Sequence, residues 1–175
     1  MRWEALFADL EAQLAAGRLA DVRADVAELA RAERASVTLA ARARASIGRP
    51  LRVLVRGSDA VAGELVDAAP EWLLLATPAA GRALVPTATV AGIVGLVAHA
   101  APEAGAVESR LGLAHALRAL ARDRAVVRVD LGGTELTGRV DRVGADHLDL
   151  SDLDDASGRG SWAVAFGAVR VVRSR

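Results

Sequence analysis

"VDLGGTELTGRVDRVGADHLDL", Val129 to Leu150, decides how the C-terminal half of this chain is read. Apolar and polar residues alternate on either side of Gly132-Gly133, the pattern of two strands joined by a glycine-dependent turn. Gly138 then stands alone inside the second run, where a strand gains nothing from a missing side chain unless it bends sharply or lets a neighbour come close. A third run, His147 to Leu150, follows Gly144. The stretch reads as a three-strand meander with a glycine hinge.

The same grammar occurs earlier in the chain. "VAGELVDAAPEWLLL", Val61 to Leu75, lies over Leu136 to Leu150 without a gap, so that Gly63 falls on Gly138, Leu65 on Val140, Leu73 on Leu148 and Leu75 on Leu150. The alternating triplets Leu51, Val53, Val55 and Val127, Val129, Leu131 precede the two copies. "ALVPTATVAGIV" and "WAVAFGAVRVV" follow them, each as two strands joined by a tight connection. The length differences fall in turns, where a repeated unit tolerates them.

Helical periodicity flanks these strands. Trp3, Leu6, Phe7, Leu10 and Leu14 form one apolar stripe, Gly17 interrupts it, and Val22, Val26 and Leu29 begin a second. Residues 1–47 therefore read as a helical hairpin or a kinked helix, ended by Gly48 and Pro50. A further helix carries Leu113, Leu117 and Leu120 ahead of the second set of strands.

The expected fold class is α+β: a helical segment over 1–47, a small five-stranded barrel over 48–97, a linker over 98–108, and a helix with a second barrel over 109–175. The order of alternating strand, turn glycine, bend glycine, acidic residue and "hLhL" strand resembles the Sm-like superfamily, which includes the bacterial Sm-like RNA chaperones, and the related SH3-like barrels. Gly132, Gly133, Leu136, Gly138, Val140, Asp146, Leu148 and Leu150 carry that resemblance in the second copy. Gly57, Val61, Gly63, Leu65, Glu71, Leu73 and Leu75 carry it in the first. The resemblance implies tandem barrels and, through the RNA-binding members, a link to RNA. The turns "PTATV" and "AFGAV" depart from the Arg-Gly or Lys-His signature used there for RNA.

Composition narrows the function. Lys+Arg and Asp+Glu both total 22, giving zero formal charge and no general attraction for nucleic acid or anionic membrane. No Cys and no Lys occur, which excludes thiolate nucleophiles, disulfides, Walker-type phosphate loops and Schiff bases. Arg as the sole long cation, with abundant Ala, Val and Leu, is the composition of a high-GC bacterial coding sequence. Glu4, Asp9 and Glu11 interrupt the apolar run that an export signal requires, so the expected location is cytoplasmic. Ala83 to Pro102 carries no charge, but its Pro, Gly and β-branched residues suit strands and not a membrane helix.

The candidate sites are few. Trp72 and Leu74 alternate with Leu73 and Leu75, so this strand is apolar on both faces and needs a cover, either the N-terminal helices or a partner subunit. Trp72 and Leu74 are therefore the candidate partner-binding residues. Arg110, Arg118, Arg122, Arg124 and Arg128 form the densest basic group, and His147, in the place of Trp72, could stack on a base. Asp149, Asp152, Asp154 and Asp155 lack the spacing of a calcium loop, and His99, His115 and His147 lack a metal-ligand spacing. No metal, cofactor, membrane partner or catalytic constellation is expected. The leading expectation is a non-catalytic binding or assembly module that contacts another protein chain or a second copy of itself; the other is nucleic-acid binding through the arginines.

Overall fold

The computed structural model describes residues 2–79, 81–102, 105, 111–152 and 160–174. Residues 1–37 and 38–175 form two separate compact units. The first is one continuous helix, α1 (Arg2–Ser36): of the two expectations, a hairpin or a kinked helix, the chain does not make the hairpin. A lone glycine costs a helix about 1 kcal/mol, and Gly17 sits among alanines, arginine and leucine, whose helix preference carries the chain through. Trp3, Phe7, Leu10 and Leu14 lie exposed along this helix.

The second unit opens with a short helix, α2 (Leu39–Arg44), whose N-terminus is capped by Thr38: its hydroxyl oxygen accepts from the Ala41 N–H at 3.1 Å. Ten strands follow. The first five are β1 (Pro50–Val55), β2 (Val61–Ala69), β3 (Trp72–Ala76), β4 (Arg82–Pro86) and β5 (Val90–Val94). After α3 (Leu113–Arg122) come β6 (Val126–Asp130), β7 (Glu135–Val143), β8 (His147–Asp152), β9 (Ser161–Ala165) and β10 (Val171–Ser174). The uncharged stretch from Ala83 becomes β4, a 3-10 turn, β5 and a loop. Among the described residues, no helix is long and apolar enough to cross a membrane.

The α+β class holds, but two separate closed barrels are not what the chain builds. All ten strands lie in one antiparallel sheet, in the order β5-β1-β2-β3-β4-β10-β6-β7-β8-β9. Each five-strand half has the same internal order: fifth, first, second, third, fourth. The halves meet where β4 pairs with β10, with Leu84 opposite Val172 and Ala83 opposite Arg173. A fourth strand that finds its hydrogen bonds in the other half has no need to close on its own.

Two apolar clusters result, and the central strands serve both. Leu73, Leu75, Ala83, Val85 and Val171 belong to a cluster with Leu51, Val53 and Leu65. Trp72, Leu84 and Val172 belong to another with Leu113, Leu117, Val129 and Leu148. Because side chains alternate along a strand, β3, β4 and β10 each send successive residues to opposite clusters. The two-sided apolar pattern of "WLLL" is thus satisfied within the chain.

The solitary glycines permit close approach. A Cβ on Gly63 would strike the Ala76 carbonyl oxygen, and one on Gly138 would strike that of Ser151. Both lie just before a register shift in the same strand, between Leu65 and Asp67 in β2 and between Val140 and Arg142 in β7. Such irregularities bend and twist a strand, and here the bend brings the neighbouring backbone over the glycine. Gly132 and Gly133, at φ +83° and +116°, make the turn that the paired glycines predict. Gly63→Ala and Gly138→Ala should each destabilise the sheet by about 1–3 kcal/mol, since the obstructing atoms are backbone. Gly17→Ala, with open space around it, should strengthen α1 by up to about 1 kcal/mol. Denaturant midpoints of the three variants, followed by circular dichroism, check both signs.

Candidate functional site

The Trp72 face is closed by the chain's own second half. Trp72 is only 6% exposed, and its Nε1–H donates to the Leu111 carbonyl at 2.8 Å. Leu113 and Leu117 of α3 lie in the same cluster, and Leu74 is partly buried against it. Within this unit the cover is supplied by α3, its preceding segment and the second five-strand half. Trp72 and Leu74 are committed to an internal junction.

Glu71, next to the tryptophan, reinforces this junction in a way that sequence reading missed. Its Oε2 accepts from the Leu113 N–H at 2.7 Å, satisfying a donor at the start of α3 where Gly112 has no side chain to offer. A carboxylate there is also favoured by the helix dipole. Backbone symmetry relates Glu71 to Asp146: the Glu71 carbonyl accepts from Thr87 N–H at 2.9 Å, and the Asp146 carbonyl from Phe166 N–H at 2.8 Å. The acidic position of the repeated pattern is thus structurally one position, used as a helix cap in the first half.

In the second half that position faces water. Asp146 Oδ1 lies 2.8 Å from His147 Nδ1, and Asp149 Oδ1 lies 4.0 Å from Nε2. The His147 side chain is 42% exposed, where the equivalent Trp72 is buried. Its hydrogen bond holds the Asp146 carboxyl below the usual carboxylate range. Asp141 is lowered too, first by the Ser151 hydroxyl and then by Arg139, whose Nε stands 3.0 Å away.

The arginines are dispersed. Arg118 and Arg122 are exposed on α3, Arg124 occupies a left-handed position with φ 49° beyond its end, and Arg128 is exposed on β6; Arg110 lies outside the described residues. Two of them have acidic groups nearby: Arg128 lies 3.4 Å from Glu135, and the charge of Arg124 helps to lower the Asp141 carboxyl. Arg118 reaches the Gly144 carbonyl at 3.4 Å. Asp154 and Asp155 also lie outside the described residues. Among those described, no three His, Asp or Glu side chains gather as a metal site.

Among the described residues, β5 has β1 as its strand neighbour and β9 has β8, so these are the two outer strands of the sheet. Exposed edges are ordinarily guarded by charges, proline or bulges. "VAGIV" and "SWAVA" contain neither a charge nor a proline. Val94 is 67% exposed on one and Trp162 49% on the other. Their lack of charge was legible in the sequence; their position at the edges was not. No protein-family model matches the chain, and no curated protein does.

Trp72→Ala should destabilise the fold by about 3–5 kcal/mol, the range for truncating a buried aromatic, read from denaturant midpoints. The Asp146 carboxyl should titrate at lower pH than in His147→Ala, followed by carbon-13 chemical shift. A depressed folded-state pKa stabilises above the unfolded value near 3.8. That contribution disappears as pH falls through the folded value, so the acid limb of unfolding should shift with His147→Ala.

Proposed function

We propose that the chain is a non-catalytic binding or assembly module that works by protein–protein contact, its two five-strand halves acting as joined Sm-like units. The observation that carries this reading is the pair of uncharged outer strands, β5 and β9. An extended segment added to such an edge gains main-chain hydrogen bonds without chemistry of any kind. The exposed Trp3, Phe7, Leu10 and Leu14 along α1 support the same reading, because large apolar surface patches mark contact sites. The identical strand order in both halves, and the glycine and acidic positions they share, support the Sm-like part of it.

Nucleic-acid binding through Arg118, Arg122, Arg124 and Arg128 is the second reading, favoured by their exposure on and just beyond α3. Zero net charge and the acidic neighbours of Arg124 and Arg128 weaken it. A fluorescent peptide copying residues 166–175, the β10 segment, distinguishes the two. Titrated with the full chain and followed by anisotropy, it should bind, and a copy with proline in place of Val172 should not. Single-stranded RNA in the same assay should bind weakly. RNA binding that collapses by about a thousandfold between 50 and 200 mM salt, with no peptide binding, would establish the second reading instead.

A further inference from the structure

We infer that α1 is a self-pairing helix, which binds the α1 of a second copy of the chain antiparallel, about a twofold axis beside Leu14. This rests on the reading of the chain as an assembly module and names the partner and the register of one contact. The helix is 35 residues long and forms a compact unit by itself. Among its described residues, every large apolar side chain is exposed. Helices in water owe most of their stability to the packing of an apolar face, and within this unit that face has no cover.

The apolar residues follow two neighbouring rows and not one straight stripe. Side chains four apart form ridges inclined to a helix axis. Trp3, Phe7 and Leu19 share one such ridge with Glu11, and Leu10, Leu14, Val22 and Val26 share the adjacent one with Arg18. Over those spans each ridge carries one charge, negative in the first and positive in the second. Reversing the chain direction superimposes the two: Trp3, Phe7, Glu11 and Leu19 recur, at the same intervals, as Val26, Val22, Arg18 and Leu10.

Two copies packed antiparallel, ridge beside ridge, therefore set Trp3 against Val26, Phe7 against Val22 and Leu19 against Leu10 of the other copy, each twice. Glu11 then faces Arg18. Ridges of this kind pack at a crossing angle of about −50°, the commonest class of helix contact. Parallel pairing would instead bring Glu11 to Glu11 and Arg18 to Arg18, a like-charge juxtaposition that is costly. Among the described residues, neither Glu11 nor Arg18 has an ion-pair partner in its own chain, whereas Arg31 pairs with Glu28. The two stand about two turns apart on the helix, beyond the spacing at which side chains of one helix meet. The same surface is used by both copies, so the contact closes at a dimer.

Charge reversal in the full-length chain, read by analytical ultracentrifugation, tests this register. Glu11→Arg and Arg18→Glu should each weaken the dimer by about tenfold or more, because each creates two like-charge contacts across the axis. Glu11→Arg combined with Arg18→Glu in one chain should recover the dimer. An equimolar mixture of the two single variants, carrying tags of different size, should form a heterodimer. Phe7→Asp should give a monomer whose near-ultraviolet circular dichroism retains the signal of the buried Trp72. Wild-type chain that stays monomeric at every concentration would overturn the inference. So would an oligomer that both reversals leave unchanged, or a weakening that neither the double variant nor the mixture restores. A strictly monomeric chain that still binds the β10 peptide would overturn the helix pairing alone and leave the binding-module reading in place.

Discussion

The pairing of β4 with β10 is the contact on which the rest of the second unit depends. It turns two five-strand halves into one sheet and makes Val171 and Val172, adjacent in sequence, serve opposite clusters. Without it Leu84 and Val172 would face water, and Trp72 would lose the half that covers it. A residue such as Trp72 contributes several kcal/mol when buried, so the junction and the cores stabilise each other. Glu71 adds a directional element, since its carboxylate fixes the start of α3 over the same face.

That arrangement explains why corresponding residues of the two halves differ. Trp72 and Leu74 lie on the face buried by the junction, whereas His147 and Asp149 occupy the same positions where the second half meets solvent. Glu71 caps a helix, whereas Asp146 pairs with the neighbouring histidine. One backbone plan is kept by Gly63 and Gly138, while side chains follow the local environment. The asymmetry of the outer strands follows the same logic: one half offers its fifth strand and the other its fourth.

On the proposed reading, function resides in the main chain of the outer strands and in exposed apolar side chains. Backbone N–H and C=O groups at an uncharged edge are competent to bind another strand at once, and specificity then comes from the side chains that register sets opposite one another. The arginines, spread over α3, the turn beyond it and β6, with Glu135 and Asp141 near two of them, offer a more diffuse surface.

The sequence by itself determined the strands, the two bend glycines, the Gly132-Gly133 turn and the helix carrying Leu113 and Leu117, because all of these follow from local periodicity and sterics. It also marked Trp72 and Leu74 as needing a cover. It could not name that cover, since pairing between β4 and β10 joins segments far apart in the chain and leaves no local pattern. Gly17 misled in the opposite direction, because a glycine permits a break but does not impose one on alanine-rich flanks. Which strands stand at the edges was likewise a tertiary decision: "VAGIV" and "SWAVA" read simply as strands until the order of the sheet sets them outermost.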